Sequence, residues 1–225
     1  MGIRHPVVVV VVVVAVAVLT SVHAGTPVDL IRPLAGAEVD WSAGTVTASA
    51  GAAADMRMPS PEAARPGAER RARVAAIEKL RAAVRALPVR GSERLSEKQV
   101  EAALGHASTM RIEYQSNGGV VLWVGVSLED LRGNASATTT TTTTATGSVV
   151  LAVGAMPLEL APVMVGGAKE IVARRVSYHQ GPPPAGAISM RRDDKGRLVF
   201  PKGSESTLDR LVRGPVVIYL EKVLP

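Results

Sequence analysis

The chain has 225 residues, a formal net charge of +6, 47% hydrophobic and 3% aromatic residues, and no cysteine. Without cysteine it has neither disulfides nor a lipidated N-terminal Cys, so packing alone must hold it together. One Phe, two Trp and three Tyr beside a modest cationic excess do not make the clustered, stacking surface that nucleic acid requires, so no nucleic-acid partner is expected.

The first residues fall into three zones. Met1–Pro6 carry Arg4, Val7–Leu19 are 13 unbroken apolar residues, and Thr20–Ala24 are mostly small or polar, with Val22 and Ala24 where a signal peptidase reads modest side chains. That order is the one found in secretory signals. As a helix the apolar run spans about 20 Å, short of the hydrocarbon core of about 30 Å, which argues against a retained anchor. The expectation is a signal peptide over 1–24, cleaved after Ala24, and a periplasmic or secreted mature protein that touches the membrane only through the signal. Residues 25–225 suffice for one large or two small domains.

Residues 25–37 read as an extended leader with Pro27 and Pro33. Glu38–Ala50 alternates loosely through Val39, Trp41, Thr45, Val46 and Thr47, which suits a strand or a short hairpin around Ala43-Gly44, with Trp41 as a core anchor. A proline-bearing loop, 51–67, leads to a long helix over Ala68–Leu87. Ile77, Leu80, Val84 and Leu87 form its apolar stripe, extended by Ala76 and Ala83. Ala75, Ala82 and Ala86 on the other side suggest a second packed face. Pro88 ends it. Ser92–Ala107 reads as a shorter helix, with capping-box spacing from Ser96 to Gln99 and a stop at Gly105. Met110–Tyr114 and Val120–Leu128 are strands joined through Asn117-Gly118, a hairpin signal.

Residues 132–147 contain seven consecutive threonines, Thr138–Thr144, and read as a disordered insertion because a homopolymer has no alternating face to bury. Val149–Val153 is a strand, Met156–Val165 is interrupted by Pro157 and Pro162, and Lys169–Tyr178 is a strand. Ile188–Arg191 and Arg197–Phe200 flank the turn Asp193-Asp194-Lys195-Gly196. Ser206–Val212 suits a helical turn. Pro215–Val223 is a nearly continuous apolar strand, as a central position requires. The fold expected is α+β, a mainly antiparallel sheet packed against one long and one short helix. Residues 38–131 form its first unit, and 148–225 continue the same sheet.

The chemistry-bearing residues are scattered. Beyond the signal only His106 and His179 remain, without a metal-ligand spacing around them. No nucleophile elbow, phosphate loop or dinucleotide fingerprint occurs. Turn chemistry accounts for Asp193-Asp194, and a solvated strand end for Glu38 and Asp40. The expectation is therefore no catalytic, cofactor-binding or metal-ligating residue, and no cofactor. The one functional candidate is cationic. Arg70, Arg73, Arg81 and Arg85, with Arg65, Arg71 and Lys79 nearby, could dock an anionic lipid or polymer, against local pairing with Glu69 and Glu78.

Three segments together carry a resemblance. They are Val39-Asp40-Trp41-Ser42-Ala43-Gly44-Thr45-Val46-Thr47-Ala48, the Ala/Arg-rich helix Glu69–Leu87, and the strand ending Val124-Gly125-Val126-Ser127-Leu128. Over about 38–130 the chain resembles exported bacterial proteins akin to the N-terminal domain of flagellar assembly protein T and to related small envelope lipoproteins. In these a strand, a loop and a helix of the Arg-Ala-Ala-x-x-Asp-Ala kind follow one another. The helix here reads Arg73-Val74-Ala75-Ala76-Ile77-Glu78-Lys79-Leu80, without the acidic-Ala step, and the lipidation cysteine is missing. The resemblance implies helices against an antiparallel sheet and protein contact in envelope or flagellar assembly, with no catalytic residue to carry over. The function expected is thus a non-enzymatic envelope protein with a protein partner. An anionic-polymer or lipid binder and an enzyme of unrecognised class are the alternatives. Mass spectrometry of the native protein should find Gly25 at the N-terminus of an extracytoplasmic species; Met1 retained in a cytosolic fraction would refute export.

Overall fold

The computed structural model describes residues 28–135, 148–173, 175–203, 207 and 214–224. The expected signal, the threonine run and all of the expected turn at 206–212 except Thr207 lie outside the described residues. The protein is α+β, with two sheets and three helices among the described residues.

The leader is more structured than expected. Val28–Asp29 (β1) and Ile31–Leu34 (β2) are strands on either side of the buried Leu30. β2 turns through Ala35 and Gly36, both at positive φ, into Ala37–Asp40 (β3), the geometry that a two-residue hairpin demands. Pro33 is tolerated because β2 is an edge strand. The hairpin expected around Ala43-Gly44 is present. Asp40 Oδ1 accepts the N–H groups of Ser42 and Ala43, and the chain returns as Thr45–Ala52 (β4), antiparallel to β3.

The long helix, α1, spans Pro61–Ala86, seven residues longer at its start than expected. The expected loop over 51–67 ends early, because Ser60 caps the helix through Ala63 N–H and Pro61 occupies the first position, where a missing donor costs nothing. Pro66 forfeits one hydrogen bond in the second turn. The buried face also differs. Ala64, Ala68, Ala72 and Ala76, four apart, continue into Leu80, Val84 and Leu87, while Ala75 and Ala82 are exposed and Ile77 half-buried. This face packs on the sheet, where methyl groups let the helix lie close over β4 and Val120–Ser127 (β6). Glu97–Leu104 (α2) carries the expected cap, with Gln99 Oε1 accepting from Ser96 N–H. Ser108–Tyr114 (β5) and β6 form the expected hairpin. At its Gly118, a Cβ would stand 2.7 Å from the Pro61 carbonyl oxygen, so only glycine fits.

A third helix corrects the expectation of two. β6 ends at Ser127, whose Oγ accepts Glu129 N–H, and Leu128–Ala135 (α3) follows. The single-sheet expectation is also corrected. The first sheet has five antiparallel strands, ordered β2-β3-β4-β6-β5. The second half builds a separate one from Val149–Met156 (β7), Val163–Gly166 (β8), Lys169–Val172 (β9), Val176–Gln180 (β10), Ile188–Arg192 (β11), Leu198–Val199 (β12) and Val216–Val223 (β13). Its order is β1-β10-β13-β7-β11-β12-β8-β9. It is mixed. β13 is central, as its unbroken apolar sequence suggests, but it runs parallel to both β10 and β7, and β7–β11 and β12–β8 are parallel too, where a mainly antiparallel sheet was expected. The expected strand 169–178 is split into β9 and β10, which sit far apart in the sheet order.

One buried cluster spans both sheets and α1–α3. Trp41, Leu80 and Val84, expected in the core, are buried, as are Val126 and Ile218, whereas Ile77 of the expected stripe and Trp123 of β6 are half-buried. The alanine stripe gives a direct test. Ala72→Leu should destabilise by about 1–3 kcal/mol through overpacking against β4, whereas Ala75→Leu should change stability by less than about 0.5 kcal/mol in urea unfolding.

Candidate functional site

The sequence singled out Arg70, Arg73, Arg81 and Arg85, and the structure separates them into two groups. Arg81 lies between Glu78 and Glu101, its Nε 3.1 Å from Glu101 Oε1, and Arg85 holds Glu97 with Nε at 3.0 Å. These pairs join α1 to α2 across their polar edges. The hydrogen bond that Arg81 donates to Glu78 holds its guanidinium above its ordinary pKa, the one that Arg85 donates to Glu97 does the same for Arg85, and that bond holds Glu97 below the usual carboxylate range. Two of the four cations are therefore committed within the fold. Towards the other end of the helix, Arg73 Nη1 donates to Thr109 Oγ1 on β5 at 2.6 Å, and Arg71 donates to the Ala53 carbonyl. Arg70 is exposed and has neither a hydrogen bond nor an ion pair among the described residues.

The same end of the five-stranded sheet exposes apolar side chains. β5 is an edge strand with Met110, Ile112 and Tyr114 exposed by 58, 37 and 51%. Ile112 and Tyr114 pair with Leu122 and Val120, so they lie on the α1 side of the sheet. Arg65 stands 5.4 Å over the Tyr114 ring, and a hydrogen bond to Glu69 raises the Tyr114 pKa. A bulge between Thr109 and Arg111 throws Met110 to the opposite face, against Gly125, where Arg111 also covers Trp123.

A second feature went unseen in the sequence. A cleft of about 720 Å³ lies where β2 and β3, the loop after α1, the segment before β8 and the end of β13 converge. Trp41 and Leu158 line it, Arg32 and Arg94 contribute its cations, and Glu159 is its carboxylate. Glu159, 3% exposed, accepts Gly91 N–H at 2.9 Å and lies 4.0 Å from Arg192. These residues come from segments far apart in sequence, so no local spacing could have revealed them.

The two histidines stay apart. His106 follows α2 at the surface, and His179 stacks on Tyr219 at 5.4 Å. Asp193 caps its turn, accepting Lys195 and Arg197 N–H, and the Arg197 guanidinium holds its carboxyl below the ordinary range. Among the described residues no group of three or more His, Asp or Glu could hold a metal ion, and no helix is long and apolar enough to cross a membrane. No family model matches the chain, and no curated protein matches it.

The depressed Glu97 carboxyl carries a pH signature. A group whose folded pKa is lowered stabilises the fold above its unfolded pKa and loses that contribution as pH falls through the folded one. Acid titration followed by circular dichroism should therefore show α1–α2 docking weaken below the ordinary carboxylate range. Glu97→Gln should flatten that part of the profile, and an unchanged profile would remove the ion pair from the account.

Proposed function

We propose that the chain is an exported, non-enzymatic protein of the cell envelope that works by holding another protein, in envelope or flagellar assembly. The observation that carries this reading is the uncovered flank beside α1. The helix lies over β4 and β6, which leaves Ile112 and Tyr114 of β5 in solvent, with Arg65 over the Tyr114 ring. Exposed apolar side chains rimmed by charge are the usual form of a protein contact. The cations favour a partner segment that is apolar with acidic flanks. The bulge in β5 and the Arg111–Glu113 pair oppose simple edge-to-edge addition of a second copy. The partner is then a different chain lying in the angle between helix and strand. Export rests on the 1–24 segment, and the assembly setting on the resemblance over 38–130.

Arg70 favours one second reading, an anionic polymer or lipid bound along the first half of α1. That reading draws on Arg70 and Arg73 and not on Arg81 and Arg85, whose charge is offset by α2. A photo-crosslinker at Ile112 in the native envelope fraction separates the two. A discrete protein adduct that disappears with Tyr114→Glu, and is absent from a crosslinker at the exposed Ala82, supports the protein contact. Adducts to lipid or polymer alone, lost on Arg70→Glu, support the second reading. An adduct indifferent to Tyr114→Glu sinks the first.

A further inference from the structure

The cleft between the two sheets is a site separate from the β5 flank, and its lining specifies a ligand. We propose that it binds a single-chain anionic amphiphile, with an acyl tail on the apolar floor and a carboxylate or phosphate head at Arg32 and Arg94.

Size comes first. About 720 Å³ falls within the range of roughly 300–1,000 Å³ typical of small-molecule sites. The floor is apolar, with Val39, Trp41 and Leu158 buried in the wall and Leu34 and Leu224 half-buried beside them. Pro33, Pro88 and Pro157 supply three further parts of the lining from three separate segments. Proline has no N–H, and the Pro88 carbonyl is already taken by Leu160 N–H at 2.9 Å. Such walls offer few donors or acceptors to a peptide backbone, whose polar groups would be buried unpaired. A hydrocarbon chain makes no such demand. The lining therefore favours an acyl chain over a polypeptide.

Charge fixes the head group. Arg32 is exposed at the cleft with neither a hydrogen bond nor an ion pair among the described residues. Arg94 is fastened through Nη1 to the carbonyls of Glu93 and Gly91, at 3.0 and 3.3 Å, which orders the guanidinium without neutralising it. The single carboxylate of the lining, Glu159, is held by Gly91 N–H and faces Arg192. The balance is cationic, and guanidinium is the side chain best matched to carboxylate or phosphate oxygens. With Glu159 engaged by Gly91 N–H and Arg192, Arg32 and Arg94 are the lining cations without a carboxylate partner among the described residues, and the head group is assigned to them.

The test uses the full chain and a naturally fluorescent polyene fatty acid. Saturable binding is expected, displaced by palmitate and by hexadecyl phosphate. Hexadecanol, which keeps the tail without the charge, should compete about tenfold more weakly, and inorganic phosphate, the head alone, should not compete. Arg32→Gln with Arg94→Gln should weaken palmitate about tenfold and leave hexadecanol unchanged. Leu34→Trp, placed at the half-buried edge strand to fill the cleft, should abolish binding of both, with near-ultraviolet circular dichroism confirming the fold. No saturable binding, equal affinity for acid and alcohol, or indifference to the arginine pair would overturn the proposal.

Discussion

The fold depends on the contact between Trp41 and Tyr178. One directly follows β3 of the antiparallel sheet, and the other sits inside β10 of the mixed sheet, 137 residues further on. Their rings meet edge to face at 5.8 Å, both buried. Such a pair contributes about 0.5–1.5 kcal/mol beyond its buried area. The backbone makes the same junction. Tyr178 N–H donates to the Trp41 carbonyl at 3.0 Å, Ser42 Oγ donates to the Tyr178 carbonyl at 2.7 Å, and Leu30 N–H donates to Ser42 Oγ at 2.8 Å. Leu30 stands between β1, in one sheet, and β2, in the other. One continuous stretch of chain therefore serves both sheets, and the aromatic pair closes the corner it turns.

A buried polar hub completes the junction. Tyr178 Oη donates to the Glu159 carbonyl at 2.8 Å, and Arg132 Nε of α3 donates to the neighbouring Leu160 carbonyl at 2.6 Å. Leu160 and Ala161 N–H donate to the carbonyls of Pro88 and Val89, and the Glu159 side chain takes Gly91 N–H. The segment 159–161 is thereby tied to the loop after α1, to α3 and to β10. Burial pushes the Tyr178 hydroxyl up and the Arg132 guanidinium down in pKa, which records how little water reaches this region. A polar hub in such a place specifies geometry more than it adds stability, because each group recovers little more than its own desolvation cost. The same bonds fix the segments around Gly91 and Glu159 that line the cleft.

What was legible in the sequence was local. The caps at Ser96 and Asp193, the Asn117-Gly118 hairpin and the central position of β13 follow from short-range rules, and the structure contains them. The start of α1 was misplaced because Pro66 outweighed Ser60-Pro61, although a cap followed by proline is the stronger start signal. The third helix was missed for a similar reason. Ser127 with Glu129 and Asp130 is an N-terminal pattern, but it directly follows an apolar strand that drew Leu128 into itself. Parallel pairing could not be read, since it depends on which distant strands become neighbours. The cleft was illegible on the same grounds, for Arg32, Arg94 and Glu159 meet only after both sheets have formed.

The arginines show how a charge pattern misleads when neighbours are unknown. On a helical wheel all four form one cationic rim. In the fold, α2 brings Glu97 and Glu101 against Arg81 and Arg85 and turns that half of the rim into an interhelical seam. Exposed pairs of this kind contribute little energy each, so the seam mainly sets how α2 lies on α1. Its functional effect is subtractive. It offsets Arg81 and Arg85 and leaves Arg70 and Arg73 without a carboxylate partner among the described residues, while Arg65 pairs with Glu62. Arg32 and Arg94 reach the same condition by a different route, through walls that carry only one carboxylate, itself already bonded. Where this protein presents positive charge to a partner is therefore decided by which arginines the fold has left without a carboxylate, and not by where arginine is most frequent in the sequence.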